Sequence, residues 1–235
     1  MPAFLYDAGT VANRGVHDIS PLLSSRTAVF PGDTPLGVRR ILSFATGGNL
    51  ELSSIETTVH LGAHADAPIH YHRDGGGIES RDPLLYIGPA QVIGVSDARG
   101  RRIRPSDLRG AAITAPRVLL RTGSFPDPDR WNGDFAALSP ELVDWLADRG
   151  VRLVGIDTPS IDPADDRALE THQAVYRRDL AVLEGLVLEG VADGRYTLLA
   201  QPLKIEGADA SPVRALLIAD AGVTSAFEKL EGLAR

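Results

Sequence analysis

The sequence predicts a single domain of mixed α/β or α+β class, and three observations predict it. Its 235 residues, 43% hydrophobic and 23% charged, suffice for one domain with a sizeable core. Apolar runs of strand length outnumber segments with helical periodicity. No internal repeat is present, so solenoids and propellers are not expected. The 24 Gly and 16 Pro supply many turns without reaching the level of a disordered chain.

Residues 1–15 lack periodicity and read as an N-terminal arm, leaving 16–235 as the domain. His17-Asp18-Ile19-Ser20 opens it with a short strand. Pro31 and Pro35 flank a Gly32-Asp33 turn, giving a rigid loop at whose entrance Phe30 reads as a core residue. Residues 53–60 alternate, with Ile55, Thr57 and Val59 on one side and Ser54, Glu56, Thr58 and His60 on the other. That period of two predicts a strand ending at His60. Gly62 permits a turn, and Pro68 suits a loop or the first turn of a short helix. The glycines after Asp74 lack the Gly-Lys-Ser/Thr of a phosphate loop and read as a turn.

Residues 89–95 and 117–121 read as buried strands. Ser139-Pro140-Glu141 predicts a helix start: serine caps, proline fits the first helical position, and an acid suits the positive dipole end. Leu142, Trp145 and Leu146 form its apolar face, and Gly150 ends it. A strand over 151–156 and a helix over 169–178 follow. The run 180–188 is apolar and holds a single carboxylate, Glu184; 196–203 and 213–219 read as the last strands.

The net charge of −7 and pI near 5.3 lack the basic surplus of a nucleic-acid binder or membrane-surface protein. A small molecule is the expected partner. With no cysteine, disulfides, thiolate nucleophiles and Fe–S clusters are excluded, and a transition metal would need nitrogen and oxygen donors. No secretory signal pattern is visible and no apolar run approaches the roughly 18 residues of a membrane span. A cytoplasmic protein is expected.

Four of the six histidines, His60, His64, His70 and His72, fall in one short stretch with Asp66 among them. Imidazole nitrogen and carboxylate oxygen are the donors that zinc, manganese or iron takes when thiolates are absent. A lone histidine is more often a surface or hydrogen-bonded core residue, and that suits His17 and His72. Asp66 alone could cap a backbone amide in a turn. The small residues Ala63, Ala65 and Ala67 between the donors let the backbone curl around an ion, which favours a metal site. Glu184 stays open here, as either a buried carboxylate that needs a partner or an exposed residue on an edge strand.

These residues resemble a known family. His60-x-Gly62-x-His64-x-Asp66-x-Pro68-x-His70 is similar to the signature of the cyclase-like metal hydrolases. The blocks 30–35, 117–122, 157–163, 181–188 and 211–215, together with His172, resemble its bacterial kynurenine formamidase branch. The resemblance implies a compact α/β fold around a mixed β-barrel-like sheet with flanking helices, a homodimer, and two divalent ions, usually zinc and sometimes manganese. It implies that His60, His64 and Asp66 hold one ion, that Asp66 (bridging), His172 and Glu184 hold the second, and that His70 is the general acid and base. The implied reaction is hydrolysis of N-formyl-L-kynurenine to L-kynurenine and formate. A sister hydrolase opening another aryl or cyclic amide, such as isatin, would use the same ligands. The family carries Trp where this chain has Phe30, the aromatic associated with the substrate ring, and also Trp in place of His17. A purely structural metal would have no use for His70, and no Gly-x-Ser-x-Gly elbow supports a serine hydrolase.

Overall fold

The computed structural model describes residues 15–108 and 110–219, so the expected arm lies outside the described residues except for its last position. In chain order the strands are β1 (Val16–Asp18), β2 (Gly37–Leu42), β3 (Leu52–Glu56), β4 (His64–Asp66) and β5 (Ile87–Gly94). Next come β6 (Arg102–Ile103), β7 (Arg117–Arg121), β8 (Ala137–Leu138) and β9 (Leu153–Ile156). The last are β10 (Ala181–Glu184), β11 (Gly194–Leu199), β12 (Ala210–Pro212) and β13 (Leu216–Ala219). The α-helices are α1 (Pro68–Tyr71), α2 (Pro140–Ala147) and α3 (Glu170–Arg177).

Nine strands form one mixed sheet, ordered β1-β13-β11-β5-β7-β9-β10-β4-β12 and curled into a half-barrel. This is the α/β architecture that the sequence predicts. Strands β5, β7, β9 and β10 run parallel at its centre, and antiparallel strands flank them. The central strands read as unbroken apolar runs because both faces are covered. Leu119, Leu153 and Leu183 join one core with Val92, Leu198 and Leu217. Val118, Leu120, Val154, Ile156 and Val182 join the other, with Leu142, Leu146 and Val175 from α2 and α3. Helix α2 starts as predicted, the Ser139 hydroxyl accepting from Leu142 N–H at 3.1 Å.

The expected strand over 53–60 is corrected. β3 stops at Glu56 and pairs only with β2, in a separate hairpin whose β2 is exposed along its length. The alternation is real, but Ile55 is 71% exposed, so it does not mark a face of the main core. Past the hairpin, Thr58 N–H bonds to Thr34 O at 2.9 Å, outside any strand pairing. His60 therefore lies in an irregular loop, and the strand near the cluster is the three-residue β4, which no period in the sequence reveals.

Candidate metal centre

Strand register assembles most of the site. β4 lies between β10 and β12, with Glu184 opposite His64 and Val182 opposite Asp66. Ala65 and Leu183 point into the first core. With a period of two, His64, Asp66 and Glu184 all point to the other face, where α3 brings His172. His60 joins from the preceding loop. His64, Asp66, His172 and Glu184 are each no more than 3% exposed, which decides Glu184 as a buried carboxylate. Gly185 allows the loop to approach: its φ is +63°, and a Cβ there would lie 2.1 Å from Gly62 O.

Each buried carboxylate faces imidazoles through both oxygens. Asp66 Oδ1 is 3.0 Å from His60 Nδ1 and 3.4 Å from His64 Nε2, while Asp66 Oδ2 is 3.3 Å from His172 Nε2. Glu184 Oε2 is 3.3 Å from His64 Nε2, and Oε1 is 3.4 Å from His172 Nε2. Glu184 Oε1 also accepts from Ile161 N–H at 2.7 Å. His64 Nδ1–H donates to Gly62 O at 2.9 Å, and a carbonyl can only accept, so Nε2 is the nitrogen that can offer a lone pair to a cation. That Nε2 and Asp66 Oδ1 are buried without a hydrogen-bond partner. Orphaned polar atoms of this kind are costly in a folded interior, and a cation among them would satisfy both. The triads His60-His64-Asp66 and Asp66-His172-Glu184 could each hold a metal ion.

Two carboxylates at the site went unread in the sequence. Asp162 accepts from His172 Nδ1 at 2.8 Å, from the backbone N–H of Thr171 and His172 at 2.9 and 3.0 Å, and from Arg102 at 2.7 Å. It thereby caps α3, whose N-cap Leu169 offers no side-chain acceptor, and it fixes the His172 tautomer with Nε2 toward the centre. The block 157–163 was the available signal for it. Asp209 is 2.9 Å from His60 Nε2, and nothing in its sequence surroundings distinguishes it.

His70, on α1, lies beside rather than within the buried triads. Its ring centroid is 4.2 Å from that of His60 and 5.9 Å from that of His172, and its side chain is 32% exposed. His72 stacks on Tyr176 at 3.8 Å and His17 meets Tyr196 edge-on at 5.8 Å, so both have local packing roles. Phe30 corrects the core expectation: it is 40% exposed, lines the cleft and meets Trp131 edge-on at 5.0 Å. The cleft, about 1590 Å³, opens at the C-terminal ends of the parallel strands, where Thr122, Asp157 and Glu184 line it together with His60 and His70. That is the usual ligand-binding edge of such sheets.

Burial opposes charge on His64, yet Asp66 and Glu184 outweigh it and lift its pKa to about 10. Burial opposes charge on His172 too, but Asp162, Asp66 and Glu184 raise it well above the ordinary value. The carboxyls of Asp66 and Glu184 are pushed up by burial but held below the usual range by these imidazoles. In metal-stripped protein the two histidines thus stabilise the fold fully below about pH 6.5, and that contribution is lost as pH rises toward 10. The carboxylates contribute above their unfolded values of 3.8 and 4.5, and that contribution is lost on acidification. The Tm of stripped protein should therefore be highest between about pH 4.5 and 6.5 and fall on both sides. Bound cations compete with the imidazole protons, so loaded protein should not show the same alkaline decline. Thermal melts with and without chelator test this, and identical profiles would count against a metal centre here.

Residues 17–163 match the family described as "Putative cyclase". The chain belongs to this cyclase family. Among curated relatives, kynurenine formamidase of Bordetella petrii is 46% identical over 201 residues, covering 85% of this chain and 96% of that protein. A solved cyclase-fold structure, described as a "potential metal-dependent hydrolase with cyclase activity", superposes with a TM-score of 0.74 at 28% identity, covering 86% of this chain and 96% of that one. Isatin hydrolase A of Ralstonia solanacearum superposes with a TM-score of 0.72 at 24% identity, covering 94% of this chain and all of that one (100%). At that identity the likeness speaks for the cyclase fold alone.

Proposed function

We propose that this cyclase-family protein is a kynurenine formamidase, hydrolysing N-formyl-L-kynurenine to L-kynurenine and formate with two divalent ions, zinc or alternatively manganese. What carries the assignment is 46% identity to a kynurenine formamidase across nearly the whole of both chains. The cleft fits it, with nitrogen and oxygen donors at one end and the Phe30 ring on its wall. His60, His64 and Asp66 would hold one ion, and Asp66, His172 and Glu184 the other. When bound, such ions lower the pKa of water toward about 7 and polarise a carbonyl oxygen.

His70 handles the proton. Its ring stands within 6 Å, centroid to centroid, of both His60 and His172, beside both donor sets and open to the cleft. It takes the proton of the attacking water and passes it to the anilino nitrogen as the C–N bond breaks. Histidine suits both directions because it is the side chain that titrates nearest neutrality. Phe30 offers an apolar face to the substrate's aryl ring, smaller than indole and without its N–H.

The proposal includes a cytoplasmic homodimer. In support of the dimer, the β2–β3 hairpin sets Val38 opposite Ile55, with Phe44 beyond, and all three side chains are exposed. Exposed apolar side chains grouped on one hairpin suit an interaction surface.

Protein reconstituted with zinc or manganese should release kynurenine from N-formyl-L-kynurenine, and a chelator should abolish the release. Phe30→Ala should raise KM several-fold with a smaller change in kcat. If fully metallated protein opens isatin but leaves the formamide intact, the substrate assignment is wrong. Unchanged constants for Phe30→Ala would remove that residue from the pocket.

A further inference from the structure

At the rim of the centre one carboxylate oxygen meets two imidazoles. Asp209 Oδ2 is 2.9 Å from His60 Nε2 and 3.4 Å from His70 Nδ1. The backbone holds Asp209 firmly: its C=O accepts from Ala67 N–H at 2.8 Å, and β12 starts at the next residue, with Ala210 opposite Asp66.

His60 is turned the opposite way from the other two buried-site histidines. His64 and His172 present Nε2 to Asp66 and Glu184, and each holds Nδ1–H on an acceptor, Gly62 O and Asp162 respectively. His60 presents Nδ1 to Asp66 and Nε2 to Asp209. His60 thus stands between two carboxylates; with a cation at Nδ1 that nitrogen must offer its lone pair, and Asp209, which can only accept, then holds the remaining proton on Nε2. With Asp209 in place, each of the three imidazoles has an acceptor behind it, the arrangement that orients metal-binding histidines and raises their basicity.

We infer that Asp209 is a positioning residue, holding His60 so that it ligates through Nδ1 and holding His70 so that its Nε2 is left for the cleft. This rests on the roles proposed above for His60 and His70. The rival arrangement, in which His60, His70 and Asp209 themselves hold an ion, is also sterically open. It requires His60 either to give both nitrogens to metals at once or to abandon Asp66. The positioning role requires neither, and it uses the geometry as it stands. The 3.4 Å contact to His70 is long, as catalytic hydrogen bonds often are before substrate binds.

The test uses full-length protein carrying Asp209→Ala or Asp209→Asn. The side chain is 49% exposed and the anchoring bond is to the backbone, so both variants should fold, as circular dichroism would verify. Zinc stoichiometry and affinity are read by competition with a chelating indicator. Asp209→Ala should weaken one of two ions by about 10–100-fold and leave the other unchanged. Its kcat should fall by more than its KM rises, and Asp209→Asn, whose amide oxygen still accepts one N–H, should recover part of both losses. In cadmium-113-loaded, nitrogen-15-histidine protein, metal coupling should appear at Nδ1 of His60 and at Nε2 of His64 and His172. Wild-type affinity for both ions in Asp209→Ala, coupling at His60 Nε2, or a third ion lost with Asp209 would overturn the assignment. Should these metal readouts hold while the wild type releases no kynurenine, the substrate reading fails and the role of Asp209 stands.

Discussion

Asp66→Asn should lose both ions and with them all measurable release of kynurenine, whereas His172→Ala should lose one ion and keep the other. Asp66 is the residue common to both donor triads, with one oxygen toward His60 and His64 and the other toward His172. Asparagine keeps the shape but lacks the charge, and its amide nitrogen can only present hydrogens where a cation should sit. His172 belongs to the second triad alone, so its removal leaves His60, His64 and Asp66 intact. The fold should survive Asp66→Asn, because β4 is held through its backbone by β10 on one side and β12 on the other. Metal content after exhaustive dialysis, paired with turnover, reads both variants. Two ions retained by Asp66→Asn, or by His172→Ala, would show that the shared-carboxylate arrangement is wrong.

What the sequence reveals and what it hides follow from the range of each interaction. The helix at Pro140 and the strand at Arg117 are legible because capping, dipole and hydrophobic pattern are local to the segment. The donors His60, His64 and Asp66 are legible because they lie close in sequence and no cysteine competes for the role. Glu184 is different: its side-chain environment is set by β4, which pairs with it across more than a hundred residues, so composition alone leaves buried and exposed equally open. Asp209 is illegible for the same reason, and Asp162 shows only as a member of the 157–163 block, without its role. Their meaning lies in His172 and His60, which only the fold brings within reach. The alternation over 53–60 misleads because periodicity reports a pleated strand but not whether any layer covers it, and the β2–β3 hairpin stands clear of the main sheet.

His70→Ala should bind both ions normally and lose about 10²–10⁴-fold in kcat. It contributes to neither buried triad, and its ring, carried by the four-residue helix α1, lines the cleft beside His60. Truncating an imidazole that is only two-thirds covered leaves a gap that water can fill, so little destabilisation is expected. The loss should fall on kcat rather than KM, because proton transfer to the departing nitrogen is made only in the transition state. Added imidazole should restore part of the rate, entering the space that the side chain vacates. The contrast with Asp209→Ala separates the two residues: that variant perturbs an ion and the rate together, whereas this one perturbs the rate alone. Near-normal turnover in fully metallated His70→Ala would place the proton transfer elsewhere, and His60, the imidazole beside it, would then have to be bound through one nitrogen and already committed to Asp209 through the other.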